Sequence, residues 1–283
     1  MEMLTFADAH CHSNPIKGIG AREIAEKFRR NGGWFLGLIS LPPWSYAIRP
    51  EGIKSYEKSF KLLVRQGEAA REVGLACAVH LGFHPAEVDK LASMGIDLND
   101  IKKLGLKVLN LACKFISEGL AQGLGEFGRQ HYSTKPERRR VAEEILKEAL
   151  IKADELNVPI HLHLEQGGKI TVKFILNLLK ELKVREEIIV IHHLPAKHLK
   201  FIENTKLKAT IVGKLDELKE AVKSKPTYLI ESDFLDDPKR PGAVIPPWSI
   251  PKNWKKIIRA GQCSLEYALK VNVDNVKELY APT

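Results

Sequence analysis

Short apolar or β-branched runs alternate along this chain with longer amphipathic stretches. Such runs predict strands at Leu4–His10, Trp34–Leu41, Leu75–Phe83, Gly119–Glu126, Val158–His163, Ile188–His192, Lys208–Val212 and Thr227–Glu231. The intervening stretches predict helices, among them Ala21–Arg30, Tyr56–Val73, Ile170–Leu182 and Lys214–Lys223. The clearest is Pro136–Leu156, which opens on a proline and keeps Val141, Ile145, Leu146 and Leu150 at roughly helical spacing. Strands separated by helices imply parallel pairing, and eight such units imply one closed α/β barrel, the (β/α)8 or TIM fold. A single barrel domain over residues 1–283 uses the whole length.

The repeat is distorted in its third unit, where Ala86–Leu91 and Leu98–Phe115 predict two helices in place of one. After the eighth strand, the tract Phe234–Lys252 carries Pro238, Pro241, Pro246, Pro247 and Pro251 and reads as a long loop. A loop at that end of a barrel covers or shapes a site.

Charge and cysteine usage narrow the function classes. The four cysteines (Cys11, Cys77, Cys113, Cys263) form no CxxC pair, so a disulfide framework or a cysteine zinc knot is not expected. No apolar run reaches the roughly 20 residues of a membrane span, and no basic n-region precedes an h-region at the start. The expectation is a cytoplasmic protein with no membrane partner. Its net charge of +9 suits a phosphorylated substrate, small molecule or nucleic acid, or else a solvated, ion-paired surface in which Glu143–Lys147 and Glu148–Lys152 are helix-spaced pairs.

The chemistry concentrates where strands end. In Asp8-Ala9-His10-Cys11-His12, residues two apart share a face, so Asp8, His10 and His12 are expected to project together, away from Ala9 and Cys11. The third strand leads into His84-Pro85, the fourth ends in Glu126, the fifth carries His161 and His163, the sixth runs into His192-His193, and the eighth ends in Glu231-Ser232-Asp233. In an α/β barrel these C-terminal strand ends converge on one mouth. Imidazole with carboxylate favours divalent zinc or manganese over calcium. The donors exceed the three protein ligands of a single catalytic zinc, whereas two ions roughly 3.5–4 Å apart would use the surplus. Glu126 is suited to bridge them, and together they would turn water into hydroxide near neutral pH.

With these motifs in hand, the chain resembles the TatD-related metal-dependent hydrolases of the amidohydrolase superfamily. The resemblance runs through Asp8-Ala9-His10-Cys11-His12, Gly82-Phe83-His84-Pro85, Gly125-Glu126-Phe127-Gly128, Glu231-Ser232-Asp233 and Asn275-Val276-Lys277-Glu278-Leu279-Tyr280. It implies a barrel with a two-metal site, filled by zinc, manganese or magnesium, and carries the ligand role onto His10, His12, Glu126, His163, His192 and Asp233. It selects His163 over His161 and His192 over His193. It also implies hydrolysis of a phosphoester, in the manner of a deoxyribonuclease, with a lactonase, amidase or phosphotriesterase as the alternative and a non-catalytic metal-binding protein last. The chain departs from the nuclease branch at Glu165, where that branch has arginine, at Arg129-Gln130 after the fourth strand, and at His193-Leu194 after the sixth.

Individual roles follow. Asp233, with Glu126, is the catalytic candidate, as ligand and as general base or acid. Asp8 is expected to orient a ligand or water from behind. His84 either contacts the substrate or forms a structural His-Pro turn, and His161 either supports the site or packs in the core. His193 is expected to point away from His192. Arg129, His131, Lys239 and Arg240 either bind an anionic group at the mouth or are simply solvated. Trp248 is either a lid aromatic or loop packing.

Overall fold

Each predicted apolar run becomes a strand in the computed structural model, which describes residues 4–240 and 244–280. The strands are β1 (Phe6–Cys11), β2 (Gly33–Ile39), β3 (Ala76–Leu81), β4 (Gly123–Gly128), β5 (Ile160–His163), β6 (Ile189–Ile191), β7 (Lys208–Val212) and β8 (Leu229–Glu231). All neighbouring pairs are parallel, and the order round the sheet is the order in sequence. The helices are α1 (Gly20–Arg30), α2 (Ile53–Glu72), α3 (Pro85–Ser93), α4 (Leu98–Ser117), α5 (Pro136–Leu156), α6 (Lys169–Leu182), α7 (Leu215–Ala221), α8 (Ser249–Arg259), α9 (Leu265–Leu269) and α10 (Asn275–Tyr280). The fold is a (β/α)8 barrel, distorted as expected by the pair α3 and α4 in its third unit, and also by a mere 3₁₀ turn, Ala196–Phe201, between β6 and β7.

Local sequence explains the helices that frame the mouth. In α1, Ala21, Ile24, Ala25 and Phe28 fall on one buried face. In α5, Pro136 occupies the first turn and Asn157, with φ of 53°, ends the helix in the left-handed region that asparagine tolerates. At α3, His84 is the N-cap: its Nδ1 accepts from the Ala86 N–H (3.0 Å), while the Glu87 carboxylate accepts from the His84 N–H (2.9 Å). That cap fixes the His84 ring at the end of β3.

The barrel closes between β8 and β1 just beyond the ladder of β8. Asp233 N–H donates to the His10 carbonyl (3.0 Å) and His12 N–H to the Phe234 carbonyl (2.8 Å). The closing seam therefore brings Asp233 beside His10 and His12. A large apolar layer fills the space between sheet and helices. Inside the barrel, Ala7, Ala9, Phe35, Val190 and Leu229 meet Val276 of α10, so the C-terminal helix stops the bottom. On the β4 side, a Cβ at Gly128 would fall on the His163 carbonyl oxygen, so only glycine lets β4 approach the end of β5 this closely.

Several sequence expectations change. Gly119 and Leu120 precede β4 rather than begin it, and β4 runs on to Gly128. The proline-rich tract is not loop throughout: α8 begins at Ser249, with Pro251 in its first turn, while Pro241 lies outside the described residues. The strict alternation predicted for Asp8 to His12 fails, because the β1–β2 register shifts between Asp8 and Cys11. Ala9 joins the interior cluster and Cys11 the outer one, so they do not share a side. The helix-spaced pairs of α5 also differ, since Lys147 pairs with Glu181 (3.3 Å) and Lys152 with Glu155 (2.6 Å).

Candidate metal centre

Six side chains from five strand ends converge at the mouth: His10, His12, Glu126, His163, His192 and Asp233, four imidazoles facing the Glu126 carboxylate. The Glu126 Oε2 lies 3.8 Å from His10 Nε2 and 3.7 Å from His12 Nε2. Its Oε1 lies 2.8 Å from His163 Nδ1 and 3.7 Å from His192 Nε2. Each carboxylate oxygen thus faces its own pair of imidazoles. Asp233 Oδ1 stands 3.6 Å from His12 Nε2, and Asp233 adopts φ of 49°. A left-handed aspartate is uncommon and turns its side chain back over the mouth.

The far nitrogen of each imidazole is held from behind. His12 Nδ1 meets the Ile39 carbonyl (3.0 Å), His192 Nδ1 meets Glu231 Oε2 (2.7 Å), His163 Nε2 meets His131 Nδ1 (2.8 Å), and His10 Nδ1 meets His161 Nδ1 (3.1 Å). Holding one ring nitrogen aims the other, which is the arrangement metal-ligating histidines require. His10 Nε2 is fully buried and has no hydrogen-bond partner among the described residues. An orphaned imidazole nitrogen beside a carboxylate, in a set of nitrogen and oxygen donors, fits a divalent cation of the zinc or manganese type. Ligand atoms within 4.8 Å of one another group His10 with His12 and Glu126, His10 with His192 and Asp233, and His84 with Glu126 and His163.

Protonation follows the same geometry. Burial, with the neighbouring His192, holds the His10 imidazole well below its usual range. Burial works against protonation of His192 too, but the Glu231 and Glu126 carboxylates outweigh it and raise that imidazole to about 10. Burial pushes the Asp8 carboxyl up to about 7. Asp8 does not point into the cluster: its Oδ1 accepts from the backbone N–H of Ser232 (2.8 Å) and of His10 (3.2 Å), pinning the β8–β1 seam.

The remaining candidates separate. His84 is nearest the cluster, with Nε2 3.3 Å from His163 Nδ1. Because its Nδ1 accepts the Ala86 N–H, the proton of the neutral ring sits on Nε2, which makes His84 a hydrogen-bond donor toward the mouth rather than a ligand. Burial keeps it neutral, down at about 3. His161 lies below the ligands, inside the barrel. Arg129 is tied up: Glu165 takes a bidentate pair (Nε to Oε2 2.7 Å), Glu143 takes Nη1 (3.1 Å), and the guanidinium stacks 3.6 Å over Phe174. Two departures from the nuclease pattern, Arg129 and Glu165, are therefore partners. Arg240 lines the cleft above the ligands, a space of about 610 Å³, with Trp44, Leu41 and Pro42 on its wall, whereas Lys239 is exposed and does not line it. Trp248 packs on Phe234 with Lys27 over its ring, away from that cleft.

Three further residues take positions that the pattern along the chain does not give. Glu231 backs His192, and its spacing of two from Asp233 was the available signal. His193 does not point away: β6 ends at Ile191, His193 takes φ of 56°, and its Nδ1 turns back to 3.4 Å from Asp233 Oδ2. His80 lies buried in the barrel beside His161, with neither ring nitrogen partnered among the described residues.

Known proteins resemble this chain in sequence and in fold. An uncharacterized protein of Methanocaldococcus jannaschii is 26% identical over 99% of this chain and 97% of its own length. An uncharacterized metal-dependent hydrolase of the same organism is 26% identical over 66% of this chain and 64% of its own. The TatD homolog YJJV of Escherichia coli superimposes with a TM-score of 0.68 at 16% identity, covering 99% of this chain and 100% of that one. The family model described as TatD related DNase matches residues 7–281, and the chain belongs to that family of metal-dependent hydrolases.

Proposed function

We propose that this protein hydrolyses phosphoesters with two divalent cations, which His10, His12, Glu126, His163, His192 and Asp233 would hold at the barrel mouth. The supporting observation is the division of the Glu126 carboxylate, one oxygen facing His10 and His12 and the other facing His163 and His192. In this reading His10, His12 and Asp233 would hold one cation and His163 and His192 the second, with the Glu126 carboxylate between the two sets. Bound cations would bring the acidity of water toward neutral pH and hold the substrate oxygen on which charge develops.

The chain's own groups do the rest. Asp233 takes the proton from the attacking water, its carboxylate steadied by His193 Nδ1 at 3.4 Å and kept partly open to the cleft. His84 presents its Nε2–H toward the reacting ester. Arg240 offers a cation to an anionic ester oxygen, and Trp44 offers a flat face to an aryl or base group. A cleft of about 610 Å³ suits a small phosphoester or the terminal nucleotide of a strand. The name of the family, the net charge of +9 and Arg240 favour the phosphoester over a neutral lactone or amide.

The test assays bis-4-nitrophenyl phosphate, end-labelled single-stranded DNA and a lactone panel side by side, with manganese and with zinc. Turnover of the phosphodiester or the DNA is expected. Turnover of lactone alone contradicts the reading.

A further inference from the structure

Below the mouth, a line of polar groups runs from the ligand cluster to the floor of the barrel. His161, on β5 and fully buried, places Nδ1 3.1 Å from His10 Nδ1 and Nε2 2.6 Å from the Tyr280 hydroxyl. Tyr280 ends α10, the helix that stops the barrel from below. His80 packs edge-on against both His161 (4.7 Å between ring centres) and Tyr280 (5.4 Å), and so walls the line laterally.

Proton accounting allows a single consistent direction when a cation is bound. His10 Nε2, which has no hydrogen-bond partner among the described residues, would offer its lone pair to the cation, which places the His10 proton on Nδ1. That N–H donates to His161 Nδ1. His161, neutral, then carries its proton on Nε2 and donates it to the Tyr280 oxygen. The segment that holds Tyr280 is itself fixed. Asn275 Nδ2 donates to the Tyr228 and Pro226 carbonyls (2.8 Å each), and the Asn272 carbonyl accepts from Trp34 Nε1 (2.8 Å).

We propose that Tyr280 is a positioning residue of the metal centre: through His161 it supports the Nδ1–H tautomer and the aim of His10 that a bound cation requires, so the C-terminal helix tunes cation affinity from the far end of the barrel. The proposal rests on the reading of His10 as a ligand. It does not depend on the substrate.

The experiment titrates metal-free protein with Mn²⁺ or Zn²⁺ by calorimetry, beside thermal unfolding of the metal-free state. His161→Phe is expected to weaken binding about 10–100-fold, the usual cost of removing an outer hydrogen-bond partner. Tyr280→Phe, one bond further out, is expected to weaken it about threefold to tenfold. His161→Asn, whose carbonyl can accept the His10 N–H, is expected to recover most of the loss; a purely packing role would not respond to that rescue. In the metal-loaded wild type, ¹⁵N-histidine spectra are expected to show His10 as the Nδ1–H tautomer. Unchanged affinity in Tyr280→Phe overturns the proposal, whatever His161→Phe does, as does His10 in the Nε2–H tautomer. If His161→Phe fails to fold, Tyr280→Phe and the wild-type spectra still decide. A wild-type chain that binds no divalent ion overturns this proposal and the proposed function together, whereas wild-type binding that Tyr280→Phe retains in full overturns the positioning role alone.

Discussion

At the scale of single residues, the same side-chain types play opposite parts according to what lies behind them. Asp233 is partly open, turned over the ligands and held by His12 and His193, so it can exchange a proton with the mouth. Asp233→Ala is expected to lower turnover by about 10²–10⁴-fold in a steady-state phosphodiester assay; wild-type turnover would remove it from the mechanism. Arg129 is a cation at the mouth in sequence, but its charge is consumed by Glu165 and Glu143. Arg129→Gln is therefore expected to cost stability, about 1.5–3 kcal/mol by denaturant unfolding, with little change in KM. The ligand candidates were legible because histidine and carboxylate recur at strand ends, where a barrel delivers them together. His193 and Asp8 were not. Both depend on where a strand stops following its period: the left-handed turn at His193, and the register shift between Asp8 and Cys11.

At the scale of elements, the helices around the mouth carry buried polar pairs that apolar periodicity cannot reveal. Glu87 of α3 is buried, accepts from the Tyr56 hydroxyl of α2 (2.6 Å) and from the His84 N–H, and so links two helices to the His84 cap. Burial raises its carboxyl to about 8, from an ordinary 4.5. The unfolded chain then ionises first, so between about pH 4.5 and 8 the unfolded state holds fewer protons than the folded one, and stability falls as pH rises. Glu87→Gln removes this dependence. Chemical denaturation of metal-free protein is expected to show the variant gaining on wild type from pH 5 to 8; parallel profiles would contradict the assignment. The helices themselves were read closely, as with Pro136–Leu156, since proline at the start and apolar spacing are local signals. The 3₁₀ turn between β6 and β7 has no such signal in its periodicity.

At the scale of the whole molecule, eight parallel strands turn dispersed sequence motifs into one cluster, and closure between β8 and β1 completes it. Much of the basic surface is spent in ion pairs, as with Arg138 on Asp89 (3.3 Å) and Lys208 on Glu278 (2.9 Å), so the 44 lysines and arginines overstate the free cations, whereas the net charge of +9 already discounts such pairs. Among the described residues, no helix is long and apolar enough to cross a membrane. If the mouth holds cations, they stabilise the folded barrel by mass action, about 4 kcal/mol at a thousandfold excess over Kd. Exhaustive chelation is expected to lower Tm in calorimetric scans, and readdition of manganese or zinc to restore it. The most direct test of the central claim is anomalous diffraction from crystals of the metal-loaded protein. Two peaks are expected flanking the Glu126 carboxylate, one against His10, His12 and Asp233 and the other against His163 and His192. A single peak, or peaks that leave Glu126 uncoordinated, would contradict it.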